Sequence, residues 1–231
     1  MGGQACVWYG AAEFSRDTDV LLLAEPDNLR RLAAALRELR ADCIAVPSFR
    51  PEYLQRGHAV HFRCHHPAAA GMRLDVMSVL RNMPPFPRLW ARRTSIRMKG
   101  EGTLALLSLP DLVQAKKTQR DKDWLMLDRL VAAHYLQHQE RPARQQVDFW
   151  LGEARDAEVL TAVAARFPAR LRQAVRRRPL LEAVGANDQA ALARGLAAEE
   201  RGERDADAAY WRPLITELHQ LRRRRSGGTK H

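Results

Sequence analysis

The chain has 231 residues, of which 38 are lysine or arginine and 27 are aspartate or glutamate, so its formal net charge is +11. Hydrophobic residues make up 46% of the sequence, enough for a buried core, which excludes a fully disordered chain. No apolar run approaches the roughly 18–20 residues that a membrane-spanning helix needs, so no membrane partner is expected. The positive charge favours a polyanionic partner, nucleic acid or nucleotide, without choosing between them.

The cysteines and the N-terminal residues indicate the compartment. The first residues lack the basic and apolar regions of a signal peptide. Three cysteines are an odd number in a chain too long to need disulfides, so we expect reduced thiols and a cytoplasmic protein. The only histidine-rich stretch, residues 58–66 around Cys64, fits no standard zinc spacing.

Residues 17–47 alternate between strand and helix patterns. A short apolar run at 20–23 predicts a buried strand that ends before Pro26. Leucine and alanine then recur at spacings of three and four, which predicts an amphipathic helix with Asp27 or Asn28 as its cap. A second short strand is predicted at 43–46.

Two later segments alternate between apolar and polar residues. In residues 60–65 the apolar positions are every second residue, and residues 72–77 repeat that pattern. We interpret the pair as an antiparallel hairpin or as neighbouring strands. Asp75 lies in the second segment, on the face opposite its apolar neighbours. A single carboxylate inside a strand is unusual and needs a reason.

From Ser108 onward the sequence is mostly helical. Ser108 and Asp111 have the spacing of a capping box. The helix is expected to pause at 119–122 and a second one to run to about residue 139. After Pro142 an Ala/Arg/Leu-rich helical region follows, with predicted breaks at Pro168, Pro179, Gly185 and Pro213. Its densest basic clusters, 176–178 and 222–225, are either solvated helix ends or nucleic-acid contacts.

The sharpest motif is a glycine pair followed by two aspartates. Gly2 and Gly3 precede Asp17 and Asp19, and strand alternation puts both carboxylates on one face. Two such charges repel unless a cation lies between them, and a hard divalent cation such as Mg²⁺ prefers oxygen ligands. Adjacent glycines let backbone N–H groups approach a phosphate.

This pattern, with the later Asp75 in a strand, resembles the nucleotidyltransferase superfamily with the DNA polymerase β-like fold. Downstream, residues 111–116 and 120–123 with Asp128 look like a helix pair common in small bacterial nucleotidyltransferases of the AbiEii-toxin-like and minimal-nucleotidyltransferase groups. The resemblance covers residues 1–136.

The resemblance implies roles for the acidic residues. Asp17 and Asp19 would hold two Mg²⁺ ions that also bind the triphosphate. Asp75 would complete the second metal site and act on the attacking hydroxyl, as ligand or base. These three residues are therefore the predicted catalytic and metal-binding set.

The resemblance also implies phosphate-binding residues. Gly2, Gly3 and Ser15 would contact phosphate oxygens, and Lys116 would reach the triphosphate from the following helix. Glu13 stands where many members of the superfamily have arginine, which leaves the substrate class open.

The expected fold is α+β, with a small mixed sheet of the nucleotidyltransferase type flanked by helices and followed by an all-helical C-terminal region. The expected domains are a nucleotidyltransferase-like domain at 1–136, a basic helical extension at 137–225 and a disordered tail at 226–231. The family normally has a helix and a strand before the glycine pair, and we expect the 1–136 domain to lack them.

Two classes of function follow. The first is a Mg²⁺-dependent nucleotidyltransferase that transfers an NMP moiety from an NTP to a hydroxyl of RNA or tRNA, a protein or a small molecule. The alternative is a catalytically inactive protein of the same fold. Such a protein would bind nucleic acid through its basic second half, or a partner protein in a toxin–antitoxin or defence pair.

Overall fold

The structure, a computed structural model, describes residues 1–100 and 102–227. It is α+β, as predicted, with a four-stranded mixed sheet, a two-stranded antiparallel sheet and a helical C-terminal region. Within the described ranges no helix is long and apolar enough to cross a membrane. Of the predicted disordered tail, residues 226 and 227 are helical and the rest lies outside the described residues.

The chain divides into two compact units. The first contains residues 1–8 and 13–115 and the chain from Ala208 onward, and the second contains residues 9–12 and 116–207. These limits differ from the predicted domains, because the division falls between the two helices that the sequence pattern had grouped within 1–136.

The first unit holds both sheets. Its strands are β1 Asp17–Leu21, β2 Asp42–Cys43, β3 Val60–Arg63, β4 Arg73–Met77, β5 Thr94–Met98 and β6 Gly102–Leu106. Its helices are α1 Gly2–Trp8, α2 Pro26–Glu38, α3 Pro51–Gln55, α4 Phe86–Ala91 and α5 Leu109–Ala115, together with a short 3₁₀ turn at Pro67–Ala69.

The four-stranded sheet has the order β1-β4-β3-β2. β1 and β4 are parallel, whereas β3 is antiparallel to both β4 and β2. The two alternating segments are therefore antiparallel neighbours, as predicted. β2 is shorter than the predicted strand at 43–46: after Cys43, Ile44 donates one more backbone hydrogen bond, to His61 (2.9 Å), and the chain reaches Pro47.

One face of this sheet forms the core of the first unit. Val60, Phe62, Leu74 and Val76 are buried on it, as strand alternation requires. The amphipathic helix α2 covers this face with its leucines. Each fully buried side chain of this kind contributes about 1.5–3 kcal/mol. The opposite face is left to the polar residues of the same strands.

The predicted cap of α2 is wrong. The N-cap residue is Glu25, whose side chain makes no capping hydrogen bond, and Pro26 is the first helical residue. Proline fits there because its fixed φ suits a helix and its missing N–H is not needed. Asn28 instead donates to the Leu23 carbonyl (2.9 Å), and Asp27 pairs with Arg30 at the surface.

The second unit is helical, and one helix runs on from it into the first. Its elements are α6 Asp121–His138, α7 Arg144–Glu153, α8 Ala157–Arg166, α9 Pro168–Val175, α10 Leu181–Gly185 and α11 Gln189–Gly227. The predicted break at Pro213 is wrong, because α11 continues through it. In the first unit Leu214 is buried and Glu217 bonds to both Arg56 and His58, which offsets the loss of one helical hydrogen bond.

His134 links α6 to α7 and has an unusual protonation equilibrium. The indole Nε1 of Trp150 donates to His134 Nδ1 (2.9 Å). Burial, and then the neighbouring charge of His138, lower the pKa of His134 to about 4. The folded chain therefore favours the neutral ring, the only form in which Nδ1 can accept this hydrogen bond.

His134 should make stability depend on pH. Its pKa is about 4 in the folded chain and about 6.5 when unfolded. Its contribution to the free energy of unfolding is complete above pH 6.5 and is lost as the pH falls toward 4, because the unfolded chain binds the proton more readily.

His134→Asn keeps an acceptor near Nδ1 but cannot titrate. We expect a smaller fall in the urea midpoint between pH 7.5 and 4.5 for this variant than for the wild type. His219→Asn, at an exposed position, is the control, and equal pH dependence in all three proteins would contradict the assignment.

Candidate functional site

Strands β1 and β4 bring the three predicted aspartates to one face of the sheet. In the parallel register Asp17 is opposite Arg73 and Asp19 is opposite Asp75. Neighbouring strands lie about 4.8 Å apart, so the polar face of these two strands carries three carboxylates and one guanidinium. This face is the reverse of the core face.

Asp75 is held by two cationic or polar neighbours. Arg73 donates from Nε to Oδ1 (2.9 Å) and from Nη2 to Oδ2 (3.0 Å), and a hydrogen bond joins His61 Nδ1 to Oδ1 (2.8 Å). Burial alone would raise the pKa of Asp75, but the hydrogen bonds and charges of His61 and Arg73 outweigh it and hold that pKa below its usual value. The carboxylate in the strand therefore stays ionised.

Arg73 is the internal counter-ion of this cluster. Its hydrogen bond to Asp75 raises its pKa against the opposing effect of burial, and the charges of Asp75, Asp17 and Asp19 add to the rise. The guanidinium thus compensates the same three carboxylates that the sequence assigns to a metal. A divalent cation entering the cluster would have to compete with Arg73 for Asp75.

The glycine pair is packed directly against the acidic strand. Gly2 has φ +67°, and a Cβ built on it would lie 1.8 Å from Asp19 Oδ2. A Cβ on Gly3 would lie 2.3 Å from Ser15 Oγ. A side chain at either position would therefore displace Asp19 or Ser15, and glycine is required for this close approach.

Local hydrogen bonds fix the segment between the glycines and β1. Ser15 Oγ donates to the Asp17 carbonyl (3.0 Å), and Gln4 Nε2 donates to the Ser15 carbonyl (2.9 Å). The amino group of Met1 donates to the Asp19 carbonyl (2.8 Å). The predicted phosphate-binding residues Gly2, Gly3 and Ser15 therefore lie together, beside Asp17 and Asp19.

The donor set suits a hard cation by its chemistry, because all three carboxylates offer oxygen. The side chains are not arranged around an ion: across the described ranges no group of three or more His, Cys, Asp or Glu residues is placed to hold a metal. Arg73 and His61 take up the coordinating oxygens of Asp75 instead.

Lys116, the fourth predicted phosphate ligand, lies in the second unit. Its Nζ donates to Asp123 Oδ1 (2.8 Å), and its side chain is only 12% exposed. Asp123 also accepts from Thr118 Oγ1 (2.7 Å) and Arg120 Nε (2.7 Å). Burial raises the pKa of Asp123, but these partners outweigh it and lower the pKa overall. In this structure Lys116 neutralises a buried carboxylate.

Ser108 caps α5, which is one half of the predicted capping box; Asp111 bonds to the Ser108 hydroxyl. The Asp111 amide donates to Ser108 Oγ (3.4 Å), and Ser108 Oγ donates to Asp111 Oδ2 (2.6 Å) at the start of α5. Asp111 is buried and also accepts hydrogen bonds from Nε (2.7 Å) and Nη2 of the Arg92 guanidinium. Asp111 therefore connects α5 to the segment after α4.

One of the two basic clusters is partly structural. Arg178 is buried and donates to the carbonyls of Leu151 (3.0 Å) and Ala154 (2.8 Å), and it pairs with Glu199 (2.8 Å). Arg176 and Arg177 are exposed. Loss of the whole cluster would therefore disturb the second unit as well as any contact with nucleic acid.

The three aspartates with His61 and Arg73 form what we call the acidic cluster. The last two residues, and one surface, were not predicted from the sequence. His61 and Arg73 could have been found, because they alternate with the apolar residues of β3 and β4 and must share a face with Asp75. The missed surface is the segment 81–100, which contains six lysines or arginines and no acidic residue.

Neither a comparison with models of known protein families nor one with characterised proteins found a match for this chain.

Proposed function

We propose that the chain is a Mg²⁺-dependent nucleotidyltransferase that transfers an NMP moiety from an NTP to an acceptor hydroxyl. The observation that carries the proposal is the register of Asp19 with Asp75 on parallel strands, directly beside Gly2, where any side chain would collide with the Asp19 carboxylate. A carboxylate pair next to a glycine turn is suited to a cation-bound polyphosphate.

Each residue has a separate task in this proposal. Asp17 and Asp19 would hold the cations, and Asp75 would bind the acceptor hydroxyl and take its proton. The bond formed is acceptor oxygen to α-phosphorus, and the bond broken joins that phosphorus to pyrophosphate. When bound, Mg²⁺ supplies stabilisation of charge on the entering and leaving oxygens.

Arg73 and the glycine segment complete the site. Release of Arg73 from Asp75 would free Asp75 Oδ2, while Oδ1 keeps its hydrogen bond with His61. The guanidinium could then bind a phosphate, a group it matches well. Ser15 Oγ and the backbone of Gly2 and Gly3 lie beside Asp17 and Asp19, where they could contact a triphosphate.

The proposal is tested with NTPs labelled at the α- or the γ-phosphate. The protein is incubated with each of the four labelled NTPs and with total RNA, protein or small-molecule extract as acceptor. We expect label from the α-phosphate only, its loss with EDTA and its return with Mg²⁺, because the proposed reaction releases pyrophosphate. Transfer of the γ-label would indicate a kinase and contradict the proposal, as would no transfer from any NTP.

The ion pair between Arg73 and Asp75 favours a second candidate, a protein of the same architecture that binds nucleic acid or a partner without turnover. A chain that keeps its own cation in the acidic cluster has less need of Mg²⁺. This candidate predicts binding that survives EDTA and that falls steeply with salt if the partner is nucleic acid.

A further inference from the structure

A basic and aromatic surface in the first unit has no role in the chemistry proposed above. It is formed by Arg88, Trp90, Arg93, Arg97 and Lys99, all of them exposed, and we call it the Trp90 surface. Because residues 81–100 include no acidic residue, this segment carries no acidic side chain of its own to neutralise the surface.

Trp90 is held in place although it is 48% exposed. Phe86 stacks with it at 5.7 Å between ring centroids, and the Arg93 guanidinium lies 4.1 Å from the Trp90 ring centroid. Arg93 Nη1 also donates to the Trp90 carbonyl (2.7 Å). A large exposed aromatic side chain fixed by a cation is a suitable platform for a planar, electron-rich ligand.

A cavity lies between Trp90 and Asp19. It has a volume of about 160 Å³, and its lining includes Trp8, Asp19, Phe86, Trp90 and Arg93. Trp8 is 46% exposed, so aromatic surface from both tryptophans is accessible there. The rest of the lining is mainly aliphatic, and a cavity of this size has room for one small planar ring next to Asp19.

Basic residues continue from this cavity along β5. Arg97 lies on the exposed side of β5 together with Ser95, whereas Arg93 directly precedes the strand and Lys99 directly follows it, both of them exposed. The paired strand β6 offers Thr103 and Ala105 on that side and no acidic residue. A row of cations along a strand suits a linear polyanion more than a compact one.

We propose that the Trp90 surface binds single-stranded nucleic acid. The phosphates lie along Arg93, Arg97 and Lys99, and one unpaired base enters the cavity beside Trp90. A terminal hydroxyl of that strand would then lie next to Asp19. This inference rests on the proposed function and identifies the acceptor as the end of a single strand. A duplex cannot supply an unpaired base, so single strands should bind more tightly.

The first test is fluorescence anisotropy with a 5′-fluorescein 12-nucleotide RNA, its DNA equivalent and the matching RNA duplex. The surface variant is Arg93→Gln/Arg97→Gln/Lys99→Gln. We expect it to bind single strands at least about 10-fold more weakly than the wild type. The slope of log K against log salt should fall in magnitude by about 2, since each phosphate contact on a single strand contributes about 0.7.

The control variant removes the same charge from exposed positions in the second unit, Arg172→Gln/Arg176→Gln/Arg177→Gln. It should bind within about twofold of the wild type. Equal weakening by both variants would mean that only net charge matters and would overturn the proposal. Duplex binding as tight as single-strand binding would also overturn it, as would equal affinity for anionic phosphatidylserine vesicles.

Trp90 itself separates stacking from charge. Trp90→Leu should weaken single-strand binding about 5- to 100-fold, the usual effect of losing one base–aromatic stack, whereas Trp90→Phe should keep most of it. Circular dichroism of both variants checks that they fold. Unchanged affinity of a folded Trp90→Leu protein would contradict the base site.

Failure of this inference can be told apart from failure of the proposed function. Binding of the 12-nucleotide strands should persist in Asp17→Ala, because Asp17 does not line the cavity and the Trp90 surface does not need the cations. Strand binding without NTP transfer would reject the nucleotidyltransferase and keep the surface. NTP transfer that is unaffected by the surface variant would reject the surface and keep the enzyme.

Discussion

The double replacement Asp17→Ala/Asp19→Ala is expected to reduce NTP label transfer by at least about 1000-fold. The two carboxylates lie on one face of β1, and Asp19 is in register with Asp75. Cation-mediated charge stabilisation contributes several kcal/mol to displacement at phosphorus, and each 1.36 kcal/mol is a factor of ten. The measurement is the initial rate of α-label transfer at saturating NTP.

A matched control removes two carboxylates elsewhere in the first unit. In Asp27→Ala/Asp42→Ala both residues are exposed, with side chains 71% and 81% accessible. Asp27 lies on α2, and Asp42 lies on the edge strand β2, two strands away from β4. We expect this control to keep its transfer rate within about twofold and to lose no more than about 1 kcal/mol from each surface ion pair. Equal rates of label transfer in the two double variants would show that the acidic cluster takes no part in the reaction.

The same double variant should leave the ion pair between Arg73 and Asp75 in place. Asp17 and Asp19 add to the rise in the pKa of Arg73, but the direct hydrogen bonds to that guanidinium come from Asp75. The Arg73–Asp75 pair should therefore survive the double replacement. A folded, inactive double variant would assign the loss to the missing ligands rather than to a collapsed sheet.

Strand alternation explains why the sheet around the acidic cluster could be predicted. The apolar positions of β3 and β4 are every second residue, so the buried face and the position of Asp75 follow from the sequence. The register between strands does not. Asp19 pairs with Asp75 only because β1 and β4 are parallel neighbours, and their separation of more than fifty residues leaves that pairing to tertiary packing.

The β5–β6 hairpin and the continuity of helix α11 through Pro213 were not predicted from the sequence, for different reasons. Thr94, Ile96 and Met98 alternate with exposed Ser95 and Arg97, so β5 carries a readable pattern that its basic composition obscured. The continuation of α11 past Pro213 could not be predicted, because the contacts that stabilise its C-terminal half are made by Arg56 and His58, about 160 positions earlier in the chain. Long-range packing overrode a local helix-breaking signal.

The role of Lys116 was not predictable from spacing alone. A lysine after an Asp-Leu pattern reads equally well as a phosphate ligand or as half of an ion pair. The structure gives it a buried partner seven residues later, Asp123, which is only 2% exposed. The choice between the two interpretations depends on burial, which the sequence does not contain.

Asp123→Ala is expected to destabilise the protein by about 3–5 kcal/mol, the usual cost of removing one partner from a buried ion pair. Lys116 would remain 12% exposed without its carboxylate, and Thr118 and Arg120 would each lose a hydrogen bond. That loss is a large part of a total stability of about 5–15 kcal/mol. The measurement is the free energy of unfolding in urea, followed by circular dichroism.

Asp121→Ala is the matched control, since it removes the same side chain from the same first turn of α6. Asp121 is 95% exposed and pairs with Arg204 at the surface, so its loss should cost no more than about 1 kcal/mol. A much larger effect at Asp123 would show that burial, and not charge at the helix start, determines the stability of this turn. Equal small effects would mean that Lys116 is not committed to Asp123, and the lysine would then be available to bind phosphate as first predicted.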